Sequence, residues 1–550
     1  MLDISTNIPS DDLFSSEERT ILAPFVTSLD DQIFGLRNLP EVIKGALFSR
    51  YSRSDKSLRR MLLDEFIHAP EADFQAIVGE KNDSTTQLLA VRQAEAFYDR
   101  VLVGYGDDSV AELGGAHLAC EGISNIAAKA LEDSRIGLSP LEKSTRYVLF
   151  NRKVNGQYRY VRPTEIMRSP YATRYEASMD TLFDTYSALL EPVEASLRER
   201  NPRDAHTSER AYRSAIRAKA CDVLRGLLPM ATRTNVGLFG NGRAFEYLLT
   251  KLYAADLEEL RSLAGSMQTA LDQLIPSFVK RAKNERGAAY QHYLRSARQQ
   301  VAALSQALIP MAAEQTLEAS VTLVDYDADA ALRICAAILY SQGAMALSEA
   351  RELAEQISPE QRNALLSAYI GERQVRFHRP GRALEEARYT FDIVADIGAY
   401  RDLQRHRILS QERQQFSTHH GFSIPPEITA AAQEPAYTQA LARAAELYMQ
   451  LTTLSPEVAQ YAVPLAFRMR WRITLNLREV YHLAELRSAP QGHLSYRRIA
   501  QGMFACVQAV QPELSAGMCF VDMSDYALER LDAERRLDAK RARMNTAEGG

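Results

Sequence analysis

Hydrophobic and polar positions follow a helical period along most of the chain. In Leu39-Pro-Glu-Val-Ile-Lys-Gly-Ala-Leu-Phe-Ser-Arg-Tyr51 the apolar residues recur three and four apart, which predicts a helix. The same spacing predicts a helix over Gly122–Leu131 and long amphipathic helices over 172–215 and 243–282. Between them, Leu141-Glu-Lys-Ser-Thr-Arg-Tyr-Val-Leu-Phe150 turns strand-like. The Gly104-Tyr-Gly-Asp-Asp108 loop is expected to break one helix before Ser109 caps the next. A charged, alanine-rich stretch from Lys280 to Glu314 predicts a boundary or connecting helix. The similar tail from Leu528 to Gly550 is expected to be a frayed helix with no chemical role.

The second half repeats this layout. Val321–Tyr340 parallels the early helix, and the same interval of 235 residues separates Pro229 from Pro464 and Asn241 from Asn476. Each asparagine opens an Asn-x-Arg unit, Asn241-Gly-Arg243 and Asn476-Leu-Arg478. The expected fold is α/β in the broad sense, a helix-rich α+β chain of two similar domains. The boundaries read as 1–295 for the first copy, 296–314 for a linker helix, 315–525 for the second copy and 526–550 for the tail.

Composition narrows the setting. A chain of 550 residues exceeds one ordinary core. Lys plus Arg number 65 and Asp plus Glu 70, a net charge of −5, which argues against a nucleic-acid or anionic-membrane partner but leaves room for a local basic pocket. Five cysteines lie far apart with no Cys-x-x-Cys spacing, so neither a disulfide framework nor a metal site is expected, and a cytoplasmic location fits. No signal peptide or membrane-spanning run is visible.

Candidate chemistry centres on Arg401-Asp-Leu-Gln-Arg-His-Arg407, which follows an apolar segment, Phe391–Tyr400. Buried guanidinium groups need anionic partners, and their fork geometry suits phosphate as well as carboxylate. A structural ion-pair knot or a solvated helix face is the competing account of Arg405, His406 and Arg407. Arg487 could likewise be a surface partner of Glu485, and His482 a packed core histidine. His419 and His420 read as loop residues and Trp471 as core. Ser410 and Ser417 lack the base and orienting acid of a hydrolase.

Arg405-His-Arg407, Ser417, the Ile424-Pro-Pro-Glu427 segment and Thr474-Leu-Asn-Leu-Arg-Glu-Val-Tyr-His-Leu-Ala-Glu-Leu-Arg487 together resemble the flavin-dependent thymidylate synthases, the ThyX family. In the first half, Asp108-Ser-Val-Ala-Glu112 resembles the family's His-x-Ser-x-x-Glu-His segment, and Glu142-Lys-Ser-Thr-Arg-Tyr147 its Glu-x-Ser-x-Arg-Tyr segment. The resemblance covers roughly 30–290 and 315–520, two diverged copies in tandem. It implies an α/β fold, tetrameric single-domain relatives and active sites built from more than one protomer.

The departures are complementary. The second copy keeps Arg405-His406-Arg407, but nine residues, Ile408 through Phe416, precede Ser417, two more than the family pattern. The Glu and Arg that flank that serine in the family are Gln415 and His419 here. The first copy has Asp133-Ser-Arg135 in place of Arg-His-Arg yet keeps Glu142, Ser144 and Arg146. Arg487 matches the family's uracil-contacting arginine, replaced by Leu252 in the first copy. Arg225 matches an arginine that serves a neighbouring protomer's site, replaced by Gln460 in the second.

The resemblance therefore implies one composite site. In it Glu142, Ser144, Arg146, Arg225, Arg405 and Arg487 would bind dUMP, with Arg487 catalytic. Ser109, Arg405, His406, Arg407, Asn476, Arg478 and His482 would bind FAD. NADPH and methylenetetrahydrofolate would be co-substrates, and two chains would imitate the four-protomer assembly as a homodimer. A related pyrimidine nucleotide as substrate, a silent flavin- or nucleotide-binding protein, and a helical scaffold are the alternatives.

Overall fold

The computed structural model describes residues 14–52, 54–68, 110–146, 148–309 and 316–548. Ser109 and most of the 97–112 segment lie outside them. The chain is helix-rich with two small antiparallel sheets. It forms two compact units: 1–123, 130–142 and 235–310 in the first, 124–129, 143–234 and 311–550 in the second. The second unit thus draws on both repeats.

In the first unit, strands β1 (Gly115–Ser124), β2 (Leu138–Glu142) and β3 (Arg233–Asn241) form a sheet in the order β1-β3-β2. The helix expected from Gly122 begins only at Asn125. Gly122 lies within β1, two residues before its end, with φ +68°, a conformation that favours glycine, and Ser124 caps the helix through the Ala127 amide. The strand expected over 141–150 is shorter and earlier: β2 ends at Glu142 and the chain leaves as a loop. Helix Glu41–Tyr51 forms as its periodicity predicts, burying Val42, Ile43 and Leu47.

The second unit carries a four-stranded sheet, β4 (Ser320–Tyr326), β5 (Arg388–Asp396), β6 (Ser410–Arg413) and β7 (Arg468–Asn476), in the order β4-β5-β7-β6. Residues 321–340, read as one helix, divide into β4 and helix Ala330–Gln342, with Asp327 between them. The period-2 run Val321-Thr-Leu-Val competes with the helical signal and wins through pairing with β5. Trp471 on β7 is buried edge-on against Tyr400. The predicted 172–215 pattern becomes helices Ala172–Arg200 and Glu209–Leu224, separated by a loop and capped at Ser208.

The two repeats meet inside this unit as equivalents. Pro229 lies opposite Pro464. Met230 N–H donates to the Val463 carbonyl (2.8 Å) while Leu465 N–H donates to that of Leu228 (3.0 Å). Ala231 N–H to Tyr461 and Ala466 N–H to Gly226 repeat the exchange. Every partner lies 235 residues from its counterpart, the self-complementary pairing that a two-fold relation requires. The repeat spacing read from the sequence is therefore the axis of the unit.

The tail is not frayed. Helix Leu531–Glu548 lies along Glu209–Leu224, with Asp538 accepting from Ser208 and Arg210, and Arg535 donating to Asp204. Just before it, buried Glu529 bonds Lys219 (2.6 Å), and buried Arg530 lies 3.7 Å from Asp222. Glu427 of the Ile-Pro-Pro-Glu segment is the second carboxylate on Lys219, at 2.8 Å.

Candidate functional site

The two copies converge on a buried charge network. Arg146 follows a loop in which the Ser144 hydroxyl accepts the Arg146 amide. Its guanidinium makes a two-pronged pair with Asp222, 2.7 Å from each oxygen, and donates to the Tyr496 hydroxyl and the Gln491 carbonyl at 3.2 Å. Asp222 lies one turn before Arg225 on the same helical run, so both point to one side. Arg225 donates through Nη1 to Asp402 (3.1 Å), while its buried Nη2 has no hydrogen-bond partner. Asp402 belongs to the second copy, one turn before Arg405 on helix Ile397–Leu403 and its continuation.

Burial opposes the charge on Asp402, but Arg225, Arg146, Arg405 and Arg487 together hold its carboxyl far below the usual carboxylate range. Burial likewise opposes Asp222, and Arg146, His493 and Arg530 outweigh it. Two first-copy and two second-copy arginines thus surround two aspartates. Cations in excess of their counter-ions around desolvated carboxylates favour an incoming anion. The unpartnered Arg225 Nη2 is a donor waiting for one.

Around Arg487 the second copy adds a relay. Arg487 Nε donates to His406 Nε2 at 2.9 Å, so Nε2 carries no proton and Nδ1–H faces Glu479 Oε1 at 2.8 Å. Burial, then Arg487, keeps His406 neutral well below its ordinary pKa. Burial raises Glu479 to about 7, with His482 and nearby arginines opposing the rise. His482, 5.4 Å from the His406 ring, is lowered to about 4 by its own desolvation. Glu485 is taken by Arg373 at 2.6 Å, which removes the surface-pair account of Arg487. Tyr496 lies 5.7 Å from the Arg487 guanidinium and 5.8 Å from that of Arg146, bridging the copies.

Other predicted residues sit differently. Arg405 and Arg407 are exposed, and only His406 of the triplet is buried, because the helix ends at Leu403 and turns the flanking side chains outward. The expectation of buried guanidinium groups is corrected for Arg405 and Arg407; the buried ones are Arg401 in the same stretch, Arg225 and, more shallowly, Arg146. Asn476 caps helix Leu477–Arg487 by accepting the Glu479 amide. Arg478 is half-buried and held by the Pro380 carbonyl and Glu385. Glu142 is buried on β2 and belongs to the first unit, whereas Ser144 and Arg146 belong to the second.

Sequence reading missed Asp222, Asp402, Tyr496 and His493. The aspartates were readable as carboxylates three residues before an arginine at helical spacing. His493 bonds the Asp222 carbonyl and accepts the Ser495 amide, which fixes its tautomer, but nothing in its sequence context marks it. A cavity of about 410 Å³ opens beside the network, with Asp222, Asp396 and His493 in one wall and Ile424–Glu427 in another.

His406, Glu479 and His482 lie close enough to share a cation. Both His406 nitrogens are already engaged, and Arg376, Arg379, Arg478 and Arg487 act on the trio, so an anion suits this corner better than a metal. Arg405 and Arg407 are exposed, and guanidinium groups at such positions suit the phosphates of a dinucleotide cofactor. Glu479→Gln is expected to remove an inflection near pH 7 from anion binding at this site. In the native protein, binding should weaken as Glu479 loses its proton above that pH and adds a negative charge. A titration of dUMP affinity from pH 5.5 to 8.5 checks it.

Among the described residues, no helix is long and apolar enough to cross a membrane, and the cysteines are free. The chain matches the Thy1 family, thymidylate synthase complementing protein, over residues 60–277 and 322–513. It is 44% identical to a UPF0159 protein of Chlamydia pneumoniae over 525 residues, 95% of this chain and 98% of that one. A UPF0159 protein of Thermoplasma acidophilum is 33% identical, across 90% of this chain and 99% of its own. Among solved structures, the UMP/dUMP methylase PolB from Streptomyces cacaoi bound with 5-Br dUMP is 19% identical, covering 37% of this chain and 96% of that one, with a TM-score of 0.30. With both repeats matched, the chain belongs to the Thy1 family as a tandem, two-copy member.

Proposed function

We propose that this protein is a flavin-dependent enzyme that methylates a uracil nucleotide, converting dUMP to dTMP with methylenetetrahydrofolate and NADPH, at one composite site per chain. The observation that carries this reading is the Arg225–Asp402 pair. It joins an arginine kept only by the first copy to the helix that leads into the Arg405-His406-Arg407 triplet of the second. Arg146 and Arg225 with Ser144 would take the nucleotide phosphate. Asp222 and Asp402 hold those arginines charged and oriented until the phosphate displaces part of their pairing.

FAD, when bound, supplies the hydride; Arg405, Arg407 and Arg478 would hold it, with Asn476 shaping the helix start. Arg487 would face the uracil ring. A guanidinium there stabilises negative charge on the ring and makes its C5 carbon electron-rich, so no cysteine nucleophile is needed. His406 holds Arg487 in place through Nε2. Glu142 and Ser109 are proposed ligands from the family pattern alone. A homodimer would restore four copies around the assembly, with a mass of twice 61.6 kDa in solution.

The test is the visible spectrum of the purified protein with FAD, before and after dUMP. Flavin bands perturbed by dUMP, followed by release of tritium from C5 of labelled dUMP, support the reading. Absence of flavin binding overturns it and brings the scaffold alternative forward.

A further inference from the structure

We propose that the first unit carries a second ligand site, which binds a nucleoside phosphate without reacting with it. The site lies at the start of helix Gly242–Tyr253, behind its cap Asn241, whose side chain accepts the Ala244 amide at 2.8 Å. The 235-residue interval places Arg243 at the position of Arg478, Tyr247 at that of His482 and Leu252 at that of Arg487. A cavity of about 550 Å³ opens there, lined by Asn241, Arg243, Tyr247, Arg281, Arg286 and Tyr290.

Two observations define what it takes. Tyr247, Tyr290 and Tyr293 form a nearly parallel row, with centroids 6.4 and 6.1 Å apart and ring planes 27° and 24° apart. All three are exposed, Tyr293 by 63%. Rings in a row facing water offer flat surfaces on which a base can stack. Cations stand beside them. Arg243 is paired to Glu112 at 2.7 Å and Arg281 lies 3.6 Å from Glu246. Arg286 is exposed and makes no ion pair among the described residues. Lys251 approaches the Tyr247 ring to 4.8 Å. Three arginines against two carboxylates in the lining, beside an aromatic row, fit an anion attached to a flat ring.

Part of the site lies outside the family match. Arg281, Arg286 and Tyr290 come after residue 277, where the first family match ends. Leu252 replaces the arginine that would polarise a bound ring, so the cavity has no group to drive chemistry. Occupancy would instead tie a nucleotide level to the state of the first unit.

Calorimetric titration of the full chain with ADP tests this, with adenosine and pyrophosphate as partial probes. ADP is expected to bind, with Tyr290→Ala and Arg286→Ala each weakening it roughly tenfold, the scale of one lost stacking or phosphate contact. Adenosine should respond to Tyr290→Ala but not to Arg286→Ala, and pyrophosphate the reverse. Both side chains are exposed, so neither variant should disturb folding. Absence of ADP binding, or binding that survives both variants and is lost in Arg407→Ala, overturns the proposal.

Discussion

Arg225→Ala is expected to raise the dissociation constant for dUMP by about a hundredfold or more, the scale of losing one partner of a desolvated, charge-paired group. Arg225 is buried, and the start of helix Ile397–Leu403 crowds it. A Cβ at Gly398 would lie 2.9 Å from Nη2, so the helix can reach the guanidinium only because that residue is glycine. One Nη serves Asp402 and the other is unpartnered, which leaves the loss of the anion contact as the main functional effect. The same substitution strands the Asp402 carboxylate, at a cost of about 3 kcal/mol in stability. The double variant Arg225→Ala with Asp402→Asn separates the two effects. Thermal stability should recover in the double variant, while dUMP affinity should not. Normal dUMP binding by the single variant would sink the composite site, because no other first-copy residue reaches Asp402 with a hydrogen bond among the described residues.

How much of this was legible in the sequence depends on the range of the forces involved. Helices with an apolar stripe and a capping residue, such as Glu209–Leu224 behind Ser208, carry their own signal. Strands β1 and β4 did not. Their residues are amenable to either state, and pairing with β3 and β5 decides the matter at a distance. The repeat interval was readable because Pro229, Asn241, Pro464 and Asn476 are punctuating residues. That the repeats pair through those same prolines follows from symmetry and not from any local pattern. At the site, the sequence identified the arginines and misplaced their burial. Arg405 and Arg407 flank a helix end and point outward, whereas Arg225 is covered by residues almost two hundred positions away. The tail was misread because its acidic and basic residues look solvated until their partners on the Glu209–Leu224 helix are known.

Arg487→Lys is expected to reduce turnover by about a hundredfold while flavin absorption and dUMP binding change by less than about threefold. Lysine keeps the positive charge but loses the planar fork. In the native chain Nε is spent on His406, which leaves the Nη groups for a ligand; an ammonium cannot hold His406 and face a ring in the same fixed geometry. Transition-state stabilisation by a preorganised donor is lost in kcat with little effect on ground-state affinity. The consequence reaches Glu479. With Nε gone, His406 is free to put its proton on either nitrogen, and the Glu479 carboxyl loses a fixed donor at 2.8 Å. The inflection near pH 7 in dUMP affinity should therefore move upward in Arg487→Lys, since a carboxylate with one donor fewer holds its proton more tightly. If turnover falls with no change in that inflection, Arg487 acts on the ring alone and the His406 relay is only packing. If turnover is unchanged, the arginine has no part in the chemistry, and the second copy contributes only its cofactor face.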